Sequence, residues 1–260
     1  MVVIHNRLLW GWCLFLSLYA SSSIAATTPN KGQWFASGEM GWSWPNLNKN
    51  KTAVLNGHAI IAPYNVDLYT INHPASEASL SIYGGYRWST QRVVLPYASV
   101  ALRYQHVFHF NVGGIIEQYS MPNFKNYTYQ FGVSSDILSV LGKLDIVQYG
   151  SIAPYISAGV GRAYNQVHHY REHGMTGIIP RVSPAYQNAT NDSLEYSVGT
   201  GIDYFVNHQF WMSLGFEHAH LGKIKSRDAT GPNWAGSSVS LGRLSINSVL
   251  LSLNYQFSTA

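Results

Sequence analysis

Apolar and polar residues alternate along most of the chain, and this alternation is its clearest structural signal. From Trp34 to Trp44, tryptophan, methionine and small residues occupy the even positions, whereas polar residues share the odd positions with Phe35. A period of two places successive side chains on opposite faces of a β-strand. The pattern returns in seven later segments: Leu80–Trp88, Ala98–Phe110, Tyr127–Ile146, Ala153–Asn165, Leu194–Tyr204, Phe210–Glu217 and Val249–Phe257. The sequence therefore predicts eight strands.

The fourth of these segments changes phase in its middle. Its large apolar residues stand at odd positions from Tyr127 to Val133 and mainly at even positions from Leu138 onward. A bulge near Ser135 and Asp136, within one long strand, would explain the change. Two shorter strands remain an alternative.

The predicted connections alternate in length. Longer ones follow the odd-numbered strands (Pro45–Glu77, Val112–Asn126, Gln166–Asp192 and Gly222–Arg243), and short ones follow the even-numbered strands (Ser89–Pro96, Val147–Ile152 and Val206–His208). All longer connections then lie at one end of an antiparallel up-and-down barrel, and both chain ends lie at the other. This layout is typical of bacterial outer-membrane barrels, in which the short turns and both termini are periplasmic.

The volume of the side chains indicates which face of the barrel points outward. The interior of an eight-stranded barrel is just wide enough for side chains to fill it. The Trp, Tyr, Phe and Met residues of one face are too bulky to fit there together, so we expect them to face lipid. Eight aromatic residues are predicted to form two interfacial girdles: Trp34, Trp42, Trp44, Trp88, Tyr127, Tyr129, Tyr255 and Phe257. A soluble, lipocalin-like barrel is the alternative, with the facing reversed.

Charged residues on the opposite face are predicted to form a polar network in the lumen. They are Glu39, Arg87, Arg103, Glu195, Asp203 and Glu217. Because buried charges persist only when they are paired, we expect the three glutamates to pair with the two arginines. Such a network would fill the barrel and obstruct ion flow.

Residues 1–25 have the features of a signal peptide. Arg7 precedes a short uncharged run, Leu8–Tyr19, and the stretch from Ser21 to Ala26, rich in small residues, offers a cleavage site after Ala25. Cleavage there would remove the only cysteine, Cys13, and leave residues 26–260 as one barrel domain.

Charged residues make up only 11% of the chain, and its net charge of +4 is scattered along the sequence. This composition predicts no nucleic-acid binding.

Four segments resemble strands of the opacity-type and OmpA-like outer-membrane barrels. They are Ala153–Gly161, Gly199–Phe205, Leu214–Gly222 and Leu251–Phe257. The resemblance covers essentially the whole chain after the signal peptide. It implies an eight-stranded barrel that the outer-membrane barrel-assembly machinery inserts, often by recognising a terminal aromatic residue. Here Phe257 is followed by three more residues.

Histidine is the residue type with the most catalytic or metal-binding potential. His168, His169 and His173 fall in the third long connection, where a helix would align the last two on one turn. The neighbouring Arg171 would repel a cation, so we predict no metal site and no cofactor.

His218 and His220 share the parity of Phe216, so they are expected to face the membrane interface. The outer-membrane lipid A deacylases are also small barrels, and they use a histidine close to a serine nucleophile. Here His-Ala-His stands where such an enzyme would have His-x-Ser, so we predict no catalytic residue.

These features predict a surface protein that displays long loops for adhesion, host interaction or envelope integrity. Its expected partners are outer-membrane lipids, lipopolysaccharide, the assembly machinery and an extracellular or host ligand. The alternatives are a small OmpW-like channel for ions or hydrophobic solutes and a lipid A-modifying enzyme.

Overall fold

The computed structural model describes residues 32–57, 61–72, 74–90, 92–230, 234 and 236–257. The predicted signal peptide lies outside this part of the chain. The described residues form ten strands: β1 (Gln33–Leu47), β2 (Lys51–Leu55), β3 (Val66–Thr70), β4 (Glu77–Ser89), β5 (Tyr97–Glu117), β6 (Lys125–Asp145), β7 (Ile152–Gly174), β8 (Ala189–Phe205), β9 (Phe210–Lys225) and β10 (Ser240–Gln256). A 3-10 helix, Gln118–Ser120, follows β5. A helix able to cross a bilayer is absent from the described residues.

Eight of the strands close into a ring. The antiparallel order is β1, β4, β5, β6, β7, β8, β9 and β10, and β10 pairs again with β1. At the seam, Met40 lies opposite Leu251 on one side and Leu80 on the other. Closure gives each of the eight ring strands a partner on both sides and leaves the ring without an open edge. The predicted fold class, an eight-stranded antiparallel up-and-down barrel, is confirmed.

The two remaining strands form a hairpin within the first long connection. β2 and β3 pair along their whole length, and Leu68 of β3 pairs with Glu117 at the end of β5. The hairpin thus continues the barrel wall at the end that carries the long connections. We call this end the loop end, and the opposite end, with the three short turns, the turn end.

A continuous apolar band surrounds the outside of the ring. All eight strands contribute exposed side chains to it, including Trp34, Met40, Trp42, Trp44, Leu80, Ile82, Trp88, Val100, Leu102, Leu138, Val140, Ile156, Val160, Val198, Ile202, Leu214, Phe216, Val249, Leu253 and Tyr255. On β1 the band runs from Trp34 to Trp44, close to the roughly 9–11 residues with which a tilted strand crosses a bilayer. The barrel is therefore of the transmembrane type, with its bulky apolar face outward.

Three strands continue well beyond this band. β5 and β6 each have 21 residues and β7 has 23, about twice the length that a membrane crossing needs. The loops are correspondingly shorter than predicted: the second consists of residues 118–124 and the third of residues 175–188. His168, His169 and His173 lie on β7 and not in a loop or on a helical turn.

The phase change in β6 does not come from the bulge predicted near Ser135 and Asp136. The same face of the strand points inward on both sides of this position, but its residues change from apolar to mainly polar. The odd-numbered residues of β6 point inward throughout, from Tyr127 to Asp145. Within the band most inward residues are polar (Ser135, Ser139, Lys143 and Asp145), whereas beyond it the inward Tyr127 and Tyr129 are 5% and 3% exposed. Placing these two tyrosines in an interfacial girdle was therefore wrong. From Tyr127 onward the extra residues lie in the neighbouring strands, between Val107 and Phe110 of β5 and around His169 of β7, and a further shift lies at Asn126, at the start of β6.

Candidate functional site: the lumen and the loop end

The six charged residues predicted for the lumen all lie on the inner face of the ring. At mid-height, Arg103 of β5 is 1% exposed and reaches across the barrel to β9 and β8. Its Nη1 donates to Glu217 Oε2 at 2.7 Å, and its Nη2 lies 3.9 Å from Glu195 Oε1. A single guanidinium thus joins strands on opposite walls.

Glu39 does not form the ion pair with an arginine that was predicted for it. It lies opposite Ser81 on the neighbouring strand and forms no ion pair within 4.0 Å among the described residues. Its Oε1 is buried without a hydrogen-bond partner in this part of the chain, as are both side-chain polar atoms of Gln105.

The other two predicted residues pair closer to the turn end with partners that the sequence reading missed. Arg87 Nη2 donates to Asp145 Oδ2 at 2.8 Å, and Lys143 Nζ donates to Asp203 Oδ1 at 2.6 Å. The Arg87 guanidinium also lies 3.8 Å from the centre of the Tyr97 ring. Lys143 and Asp145 stand at odd positions of β6, as does the inward Ser139. This alternation could have predicted that both side chains point into the lumen.

Little free volume remains around these ion pairs. The cavity beside Arg87, Asp145 and Trp211 measures about 10 Å³, which is no more than one water molecule needs. Fully buried charges at mid-height and this packed section at the turn end therefore obstruct the lumen.

An apolar core fills the barrel beyond the membrane band. Tyr69 of the hairpin packs on Tyr129 at a ring distance of 5.0 Å, and Tyr170 packs on both Phe131 and Tyr186 at 4.8 and 4.9 Å. Aliphatic residues of β9 and β10, among them Ile224, Leu241 and Leu244, complete this loop-end core. Burial raises the pKa of Tyr186 to about 12, so its hydroxyl stays protonated.

Arg181 fixes the third loop over this core. Its Nη1 donates to Asp67 Oδ2 at 2.9 Å and its Nε donates to Glu172 Oε1 at 2.7 Å. The guanidinium also lies over the rings of Tyr127 and Trp234. Although burial lowers the pKa of Arg181, hydrogen bonding to Glu172 and its charge raise it above the ordinary value, so the residue stays charged. Loop, hairpin and β7 are thereby joined at one point.

The outward histidines are held by their neighbours at the loop-end edge of the band. His218 Nδ1 lies 2.7 Å from Asn247 Oδ1, and His106 Nδ1 lies 2.7 Å from Asp136 Oδ1. Farther out, His109 stacks on His168 at 4.9 Å. Among the described residues, no group of three or more His, Cys, Asp or Glu side chains is arranged to hold a metal ion.

The loop tips expose large apolar side chains. Ile179 and Val182 of the third loop are 88% and 75% exposed, and Ile61 and Phe124 of the first and second loops are also exposed. Hydrogen bonds hold the third loop against β6, since Met175 N donates to Asn126 O at 2.8 Å and the Tyr127 hydroxyl donates to Ile179 O at 3.0 Å. The arrangement is a rigid platform that can make apolar contacts with another molecule.

No protein-family model matches the chain, and no curated protein matches it. Among solved structures, the chain is similar to Neisserial surface protein A at 12% identity, covering 87% of this chain and 99% of that one with a TM-score of 0.47. The outer membrane protein OprG from Pseudomonas aeruginosa is 13% identical, with 87% and 97% covered and a TM-score of 0.46. The outer membrane protease OmpT from Escherichia coli is 11% identical, with 90% and 99% covered and a TM-score of 0.37. At these identities no activity passes to this chain, and its barrel fold rests on its own strand pairing.

Proposed function

We propose that this chain is a bacterial outer-membrane protein that presents its loop end to the outside as a contact platform for adhesion or host interaction. Its two chain ends and short turns would then lie on the periplasmic side. The closed ring and its apolar band support placement in a membrane, because only a lipid environment accommodates so large a continuous apolar exterior.

One observation carries the contact role: large apolar side chains are exposed on a rigid, filled extension beyond the membrane band. Exposed apolar residues that cluster on a soluble surface typically mark an interaction site. Loops on a rigid scaffold commonly carry recognition, because the scaffold limits the entropy lost on binding. Ile179, Val182 and Phe124 fit this role, and a ligand on the host or another cell would be the partner.

The filled interior of the barrel favours a contact role over a channel role. Arg103, Glu195 and Glu217, which we call the Arg103 cluster, occupy the middle of the lumen, and the loop-end core lies above them. The proposal also assigns no enzymatic activity: His106 and His218 are bound to Asp136 and Asn247, and neither hydrogen-bonds a serine among the described residues. Lipopolysaccharide would surround the barrel, and the assembly machinery would insert it.

Adhesion of bacteria that express the full chain tests this function. We expect the double variant Phe124→Ser/Ile179→Ser to bind host-cell monolayers several-fold less than the wild type. The matched control is Val94→Ser/Tyr149→Ser, which removes exposed apolar residues at the turn end. Gel migration before and after boiling shows whether each barrel is folded. Equal adhesion by a folded loop-end variant and the wild type would refute the contact role.

A further inference from the structure

Two glycine bulges lie on the β9–β10 wall, and the one at Gly222 turns basic residues outward. Gly222 and Gly242 have φ of +82° and +100°, and the register between the two strands shifts beside each of them. A bulge re-aims the residues that follow it. On β9, Ala219 and Leu221 point inward, yet Lys223 and Lys225 are exposed although they continue the same parity.

The re-aimed residues place like charges side by side. Lys223 lies directly opposite Arg243 on β10, where Cβ atoms are about 4.5–5.5 Å apart and like charges destabilise a sheet. Lys49 packs beside Gly242 and so joins the same surface. We call Lys49, Lys223, Lys225 and Arg243 the β9–β10 basic patch.

In the described part of the chain, no carboxylate forms an ion pair with this patch. The ion pairs among the described residues do not include any of its four members. On the adjoining wall, by contrast, the outward Arg162 of β7 is paired with Asp192 of β8. Four cations on one wall, without an ion-pair partner among the described residues, favour an anion from outside the chain.

The height of the patch on the barrel indicates where that anion comes from. Along β9 the outward side chains run from Leu214 and Phe216 of the apolar band through His218 to Lys223. The patch therefore begins just beyond the hydrocarbon level, where lipid phosphates lie, and it faces sideways into the leaflet. The loop tips, which would meet a soluble partner, point away from the membrane.

We propose that the β9–β10 basic patch binds the phosphate groups of an anionic lipid in the leaflet at the loop end. Lys223 and Arg243 contact the phosphate, and Lys49 and Lys225 add charge around it. Charge-assisted hydrogen bonds from a guanidinium and an ammonium suit a phosphate monoester or diester. The inference rests on the proposed membrane placement but not on the adhesive role of the loop tips.

Binding of diphosphoryl lipid A to the full chain in zwitterionic micelles tests the proposal. We expect Lys223→Gln/Arg243→Gln to weaken this binding by about 10- to 30-fold, since each basic residue near an anionic lipid surface contributes on the order of a tenfold factor or less. Monophosphoryl lipid A should bind more weakly than the diphosphoryl form to the wild type, and this difference should shrink in the variant.

The matched control is Arg92→Gln/Lys125→Gln, which removes two exposed charges elsewhere and should leave binding unchanged. If Lys223→Gln/Arg243→Gln does not show the gel shift of a folded barrel, Lys49→Gln/Lys225→Gln, which spares the directly opposed pair, takes its place. Wild-type affinity in the folded variant would overturn the proposal. So would full displacement of the lipid by inorganic pyrophosphate at equal concentration, which would indicate a site for soluble anions. Neither outcome depends on the adhesion assay.

Discussion

Arg181 and Asp67 form an ion pair of 2.9 Å between residues that are far apart in sequence. The first lies in the loop between β7 and β8, and the second lies in the hairpin of the first long connection. Glu172 of β7 binds the same guanidinium at 2.7 Å. Because both carboxylates are buried, this contact holds the third loop and the hairpin at the loop end in one arrangement.

Replacing Arg181 with alanine should release the third loop. The change leaves the Asp67 and Glu172 carboxylates without a counterion, and breaking a buried pair typically costs about 3–5 kcal/mol. We expect hydrogen exchange in residues 175–188 to accelerate by at least tenfold, while the gel shift of the folded barrel persists. Arg171→Ala, which changes an exposed residue of β7 beside Glu172, should have no effect. Unchanged exchange in the Arg181 variant would show that the loop is held by other contacts.

Arg103 should be essential for the stability of the barrel. Arg103→Met leaves Glu217 and Glu195 uncompensated in the middle of the lumen, which should lower the free energy of unfolding by about 3–5 kcal/mol. Urea unfolding in lipid vesicles measures this change. Adding Glu217→Leu and Glu195→Leu should restore much of the loss, because an apolar replacement of a whole buried cluster is often neutral. A single variant as stable as the wild type would contradict the assignment.

The histidines on β5 and β7 should make the loop end sensitive to pH. Burial first, and then the neighbouring His109 and His169, lower the pKa of His168 below its ordinary value of 6.5. The unfolded segment then binds a proton that the folded one does not, so the stabilisation is complete above about pH 6.5 and is lost as the pH falls below it. We expect faster hydrogen exchange around residues 165–173 at about pH 5 than at pH 7.5, after correction for intrinsic rates.

His168→Gln should remove this dependence on pH, whereas His173→Gln, which changes an exposed residue of the same strand, should retain it. A pH response that persists without His168 would assign the effect to another group.

The filled lumen should not conduct. In planar bilayers, we expect the wild-type protein to show no steady single-channel current, because the Arg103 cluster and the loop-end core obstruct the passage in series. Arg181→Ala alone should not open it, since the mid-height charges remain in place. A steady ohmic current that disappears in a Glu39 or Arg103 variant would favour the channel alternative.

The eight ring strands, their order and their outward facing could be predicted from the sequence because polar and apolar residues alternate wherever the barrel meets lipid, whereas the β2–β3 hairpin was not predicted. The same rule failed beyond the band. There the inside is apolar and the outside is wet, so Tyr127 and Tyr129 were assigned to the wrong face although β6 itself is regular. A change in environment along one strand produces the same pattern as a bulge.

The sequence predicted that charged residues point into the lumen, but it did not predict which of them form ion pairs with each other. Parity places a charge inside, but it does not indicate which charge lies at the same height on another wall. Arg87 therefore pairs with Asp145 and not with a glutamate, and Lys143 pairs with Asp203. The orientation of Lys223 was beyond the pattern as well, because a bulge at Gly222 reverses the parity of the residues after it.

Cysteine labelling on intact bacteria tests most directly the claim that the loop end of a membrane-embedded barrel faces the outside. The only native cysteine, Cys13, lies in the predicted signal peptide, so single cysteines report position cleanly. Ile179→Cys lies at the loop end and Tyr149→Cys at the turn end, and both positions are highly exposed, at 88% and 71%. We predict that a membrane-impermeant maleimide labels Ile179→Cys on intact cells and labels Tyr149→Cys only after the outer membrane is permeabilised. Equal labelling of both on intact cells, or labelling of Tyr149→Cys alone, would contradict the account.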